Sequence, residues 1–168
     1  MAANEDTSKK QSGASLRLPP EDCPSPTEIK GKLMDLPGRL VFFVDRSLGR
    51  RIIPGALRDA GEDVRVHDDH FPQDAKDEVW LAEAGKQSWV VLTKDKNIRY
   101  RAVELQALVV AKVRAFVLTA RGDLSGAEVG QIFVKALPAI KKLCETTKPP
   151  FIARVSRDGS VTLVKNCG

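Results

Sequence analysis

LVFFVD, residues 40–45, is the stretch that decides the fold. Five consecutive apolar residues without polar alternation mark a strand covered on both faces, as in the middle of a parallel sheet, and an aspartate stands directly at its end. A strand of that kind needs helices above and below it. The chain on its C-terminal side supplies them, because short apolar runs alternate with amphipathic stretches of helical length.

Reading outward, the spacing predicts a helix over residues 49–60, closed by Gly61 in the left-handed position. Pro54 within it requires either a later start or a kink. A second strand follows over Val64–Val66, then a polar loop, His67-Asp68-Asp69-His70. Asp74 reads as the N-cap of a helix with Asp77 at its third position, and Gly85 as its stop. Trp89–Leu92 is a third strand, TKDKN (93–97) a turn, Ile98–Ala111 a helix and Ala115–Leu118 a fourth strand. Ser125 and Glu128 have the spacing of a capping box, opening a long helix over Ala127–Leu143 in which Pro138 predicts a bend. Pro149 and Pro150 end it, and Phe151–Val155 and Val161–Val164 flank Asp158-Gly159 as a C-terminal β-hairpin. The expected architecture is α/β: a central, mainly parallel sheet flanked by helices.

Residues 1–38, rich in Ser, Pro, Lys and acidic side chains and without apolar periodicity, read as a flexible N-terminal arm. Within it, Thr27–Leu36 has the makings of a short helix. The 168 residues leave 39–168 as one α/β domain. No stretch approaches the roughly 20 apolar residues that cross a bilayer, and the N-terminus has no apolar core of signal-peptide type, so a cytoplasmic location is expected. Cys23, Cys144 and Cys167 are widely spaced and read as free thiols rather than zinc ligands. The net charge of +5 conceals a division. Residues 41–95 carry 8 basic and 11 acidic groups, whereas residues 96–168 carry 13 basic and 5 acidic, a net of +8. The acidic half suits a cation and the basic half a polyanion.

In a parallel α/β sheet the C-terminal strand ends share one rim, where ligands bind. Asp45, the 67–70 loop and Asp95 all fall there, with Asp77 and Glu78 opening a neighbouring helix. Carboxylates about 5 Å apart repel by roughly 3 kcal/mol at an effective dielectric near 20, so a cluster of them calls for a proton or a cation. Oxygen-only ligands suit Mg²⁺ or Mn²⁺, which commonly also bind phosphate. Lys94 and Lys96, with Arg46 and Asn97, are the candidate substrate-binding residues. The arrangement is one for phosphodiester cleavage.

The order of these residues resembles the PIN-like nuclease superfamily: an apolar strand ending in Asp, a helix ending in LRDAG, then DEVWLAEAG and VVLTKDKNI. The resemblance runs from about Val41 to Tyr100 and is closest to compact prokaryotic proteins, including toxin components of toxin–antitoxin pairs. It implies a Mg²⁺- or Mn²⁺-dependent ribonuclease, with RNA as substrate and an antitoxin protein as partner. Asp45, Asp77 and Asp95 match the family's acidic positions, with Glu78, Asp68 and Asp69 as further candidate metal ligands. Where relatives often show Asp–Glu–Asn–Leu after the first strand, this chain has Asp45-Arg46-Ser47-Leu48, and Asn97 stands where many carry another Asp.

These departures keep a second reading open, a PIN-like module that binds RNA or protein through its basic C-terminal half without cleaving. A homodimer also remains open. A phosphoacceptor receiver domain fits less well, since Arg46 follows Asp45 where a second acidic residue is expected. DRSLGRR after the first strand is no glycine-rich nucleotide turn.

Overall fold

The computed structural model describes residues 39–167; the expectations for residues 1–38 and for Cys23 lie outside them. Among the described residues, six strands, β1 (Val41–Val44), β2 (Asp63–Val66), β3 (Val90–Thr93), β4 (Arg114–Leu118), β5 (Phe151–Val155) and β6 (Val161–Asn166), form one sheet in the order β2-β1-β3-β4-β5-β6. The first five run parallel and β6 returns antiparallel to β5, so the expected mainly parallel sheet and terminal hairpin are both present. The helices are α1 (Ile52–Asp59), α2 (His67–His70), α3 (Asp77–Lys86), α4 (Ala102–Val110) and α5 (Gly126–Thr146). No described helix is long and apolar enough to cross a membrane.

Two cores explain the unbroken apolar runs. Phe42, Val44, Val90, Leu92, Phe116 and Leu118 point to one face, under α1 and α5. Phe43, Val91, Ala115 and Val117 point to the other, where Trp80, Leu81 and Ala84 of α3 and Leu108 of α4 cover them. The period of two is intact, but both faces need apolar side chains, so the sequence does not alternate.

Helix ends account for most differences from expectation. α1 starts at Ile52, which leaves Pro54 in its first turn where no backbone N–H partner is forfeited. It closes on Gly61 at φ 91°, with Glu62 N bonded to Leu57 O and Gly61 N to Arg58 O. The same pair of bonds ends α3 at Ser88 (φ 58°) and α4 at Lys112 (φ 57°), two positions without glycine. Gly85 is therefore not the stop of α3 but lies inside it. A Cβ there would meet the Ala111 carbonyl oxygen at 2.0 Å, so Gly85 is what lets α3 and α4 approach.

Three further expectations need correction. The 67–70 segment is a helical turn rather than a loop, closed by Phe71 N to His67 O at 2.9 Å. His67 is fully buried against the rings of Phe43, Phe71 and Trp80. Asp74 does not cap α3. Lys76 is its N-cap residue, without a side-chain bond, and Asp77 is its first residue rather than its third. The helix expected over 98–111 is divided into a 3₁₀ turn, Lys96–Arg99, and α4. The Ser125–Glu128 capping box is formed as expected, and α5 carries Pro138 in its interior. Cys144 and Cys167 are free thiols.

Candidate active site

The end of β1 is tied to the end of β3 through side chains. Asp45, 5% exposed, still makes the sheet bond from its N to Leu92 O. Its Oδ2 accepts from Thr93 Oγ1 at 2.8 Å and from Ser47 Oγ at 2.6 Å. Thr93 Oγ1 in turn accepts from Asp95 N at 3.0 Å, and Ser47 Oγ from Lys94 N at 3.2 Å. Two short hydroxyl side chains thus lock Asp45 and Asp95 into one frame. Asp95 also caps the 3₁₀ turn after β3, its Oδ1 accepting from Asn97 N at 2.9 Å.

Asp77 comes from the first residue of α3. Its Oδ1 takes two donors, Trp80 Nε1 at 3.0 Å and Arg46 at 3.1 Å. The same guanidinium donates to Gln73 O and Ala75 O, so Arg46 pins the segment before α3 to the end of β1. Both donors to Asp77, from Trp80 and Arg46, are on Oδ1.

The close approach of α3 and α4 then adds a residue not anticipated from sequence. Asp77, Asp95 and Glu104 of α4 each offer a carboxylate oxygen, all within 4.8 Å of one another. Asp45 lies outside that trio but lines the same cavity of about 260 Å³ as Asp77 and Asp95, with Arg46, Ser47 and Arg101. Glu104 lines an adjoining depression that shares Arg46 and Asp77 with the cavity.

At this spacing each carboxylate pair repels by about 3 kcal/mol at an effective dielectric near 20. Burial pushes the Glu104 carboxyl above the usual range and the charge of Asp77 adds to this, against the bond from Arg101. Arg101 donates to Glu104 Oε1 at 2.8 Å and approaches Asp95 Oδ2 at 3.5 Å, which raises its own pKa, chiefly through the Glu104 bond. Among the described residues Glu104 Oε2 is buried and receives no N–H or hydroxyl donor, and the Asp77 carboxyl is close enough to share a proton with Glu104. Four carboxyl groups face two guanidiniums, a formal excess of two acidic groups, and oxygen donors of this kind suit a hard divalent cation.

Of the residues singled out in the sequence, Asp45, Asp77, Asp95 and Arg46 meet at the cavity. Glu78 lines only the adjoining depression. Asp68 pairs with His67 and Asp69 is exposed; neither lines either hollow. Lys94, Lys96 and Asn97 are exposed on the segment that carries Asp95. Glu104, Arg101, Ser47 and Thr93 were missed. The one available signal for Glu104 is a lone carboxylate in the otherwise apolar run AVELQALVV.

Residues 40–120 match the family described as "PIN like domain". Over 112 residues the chain is 32% identical to the Mycobacterium tuberculosis (strain ATCC 25618 / H37Rv) protein named "Putative ribonuclease VapC45", an alignment covering 64% of this chain and 80% of that protein. The chain belongs to the PIN-like family. The matched stretch of this PIN-like chain runs from β1 past β4 and contains Asp45, Asp77, Asp95 and Glu104, while α5 and the terminal hairpin lie beyond it. No solved structure matches the chain.

Proposed function

We propose that this PIN-like protein is a metal-dependent endoribonuclease, a toxin held in check by a cognate antitoxin, with residues 39–168 as its catalytic domain. The observation that carries the reading is the trio Asp77, Asp95 and Glu104 within 4.8 Å, one of whose oxygens, Glu104 Oε2, is buried without an N–H or hydroxyl donor among the described residues. A buried carboxylate oxygen without a donor is costly unless a proton or a cation completes it, and three carboxylates converging here favour the cation. The relative's printed name supports RNA as the substrate.

Asp77, Asp95 and Glu104 would hold the ion, Mg²⁺ or Mn²⁺. When bound, such an ion supplies a more acidic water and neutralises charge on the phosphate. Asp45, fixed by Ser47 and Thr93, is the carboxylate that orients the attacking water and takes its proton. Arg46, anchored by backbone carbonyls, presents fixed positive charge to the developing phosphorane. Lys94, Lys96 and Asn97 guide the strand toward the cavity.

Labelled single-stranded RNA incubated in Mn²⁺, Mg²⁺ or chelator with wild type, Asp45→Asn and Asp95→Asn tests this. The expected result is metal-dependent cleavage that falls by at least about 100-fold in both variants. Cleavage that is equal in the variants, or absent in wild type, refutes it. In the latter case RNA binding without chemistry, the reading favoured by the arginines already paired to the carboxylates, takes its place.

A further inference from the structure

Two guanidiniums face the carboxylates, and they differ in what else holds them. Arg46 is fixed by the carbonyls of Gln73 and Ala75 as well as by Asp77. Arg101 has no such anchor. Its side chain is 51% exposed, and its hydrogen-bond and ion-pair partners among the described residues are Glu104 Oε1 and Asp95 Oδ2, both reached through one nitrogen. These are carboxylates of the trio that fits a divalent cation. Arg101 therefore supplies one positive charge to the groups that an ion would serve with two, and leaving them breaks no contact to the backbone. A guanidinium released at the mouth of an acidic cavity keeps five N–H donors in a fork that matches phosphate oxygens.

We propose that Arg101 is a displaceable internal counter-ion: it pairs with Asp95 and Glu104 until a divalent cation takes those carboxylates, and then turns to the RNA phosphodiester. This deepens the ribonuclease reading and rests on it. It makes cation binding and RNA binding interdependent through one side chain. Arg46, held on three sides, has no part in the exchange.

The first measurement is Mn²⁺ binding to the full chain without RNA, by titration calorimetry or electron paramagnetic resonance, for wild type, Arg101→Gln and Glu104→Gln. Removing the counter-ion is expected to tighten Mn²⁺ about fivefold, an electrostatic gain reduced by solvent screening, while Glu104→Gln binds far more weakly. No Mn²⁺ bound by any of the three overturns the cation centre itself. Binding by wild type with equal or weaker binding by Arg101→Gln overturns the counter-ion while leaving the centre intact. The second measurement is anisotropy of a short labelled single-stranded RNA in Ca²⁺ and in chelator. Arg101→Gln is expected to lose about fivefold in RNA affinity with Ca²⁺ and nothing in chelator. Equal losses in both, or none in either, overturn the turn toward phosphate.

Discussion

Gly85→Ala and Gly55→Ala place the same methyl group inside two helices and are expected to have opposite effects. In an unobstructed helix, alanine is better than glycine by about 0.5–1 kcal/mol because it restricts the unfolded chain. Gly55, in α1, has no atom within 4 Å of the added Cβ, so that gain is expected in full. At Gly85 the Cβ would lie 2.0 Å from Ala111 O and 2.6 Å from Ala111 Cβ. The obstacle is backbone at the end of α4, where Lys112 is already committed to a left-handed turn, so it yields only if α3 and α4 separate. Overpacking of this kind costs about 1–3 kcal/mol, and the severity of the overlap places it near the upper end. Less the helix gain, Gly85→Ala is expected to lose about 2 kcal/mol, or roughly 8 °C in Tm, with Gly55→Ala up by about 3 °C. Urea and thermal unfolding of the full chain measure both. Separation of α3 from α4 also parts Asp77 from Glu104, so Mn²⁺ affinity should fall with stability in Gly85→Ala alone. A Gly85→Ala protein as stable as wild type would refute the close helix contact, and with it the means by which Glu104 reaches the site.

Three other outcomes follow from the same geometry. Trp80→Phe keeps the ring packed beside Phe43 but removes the N–H on Asp77 Oδ1; it should cost about 2 kcal/mol and weaken Mn²⁺ binding about tenfold, whereas unchanged affinity would mean that Arg46 alone positions Asp77. Because the folded-state pKa of Glu104 is raised, its contribution to stability is fully present below the ordinary carboxylate range and is lost as pH rises through the folded value. In chelator, the Tm advantage of Glu104→Gln over wild type should therefore grow as pH rises from about 4 toward neutrality, and a constant difference would contradict the burial of that carboxylate. Cys144, its thiol pushed up to about 11 by burial, carries about a hundredfold less thiolate at pH 8 than a thiol at 9.0 would, so disulfide-exchange reagents mapped by mass spectrometry should leave it unmodified until the chain unfolds. Labelling of native Cys144 as fast as Cys167 would contradict its placement.

What could be read in advance was what neighbouring residues decide. Strands buried on both faces announce themselves as apolar runs; Asp45 stands directly beyond one of them and Asp95 two residues beyond another. Gly61 and the Ser125–Glu128 box mark helix ends by local chemistry. Ser88 and Lys112 hold the same left-handed position as Gly61 without the residue that would advertise it, since the closing hydrogen bonds and packing impose it. Gly85 looks like a terminator until Ala111, far along the chain, occupies the space its side chain would take. His67 was legible as polar but not as buried, because the rings around it come from β1, α3 and Phe71. Glu104 and Arg101 enter the site for a tertiary reason alone: the approach of α3 and α4 brings one carboxylate of an apolar helix beside Asp77 and Asp95.

Glu104 is therefore the residue on which the account depends most directly. Cleavage of single-stranded RNA should be followed against Mn²⁺ concentration for wild type and Glu104→Gln, both shown to be folded. Loss of at least about 100-fold in rate by a variant that is no less stable than wild type is the predicted result. Cleavage by Glu104→Gln at the wild-type rate, or by wild type in chelator, would contradict a cation centre built from Asp77, Asp95 and Glu104.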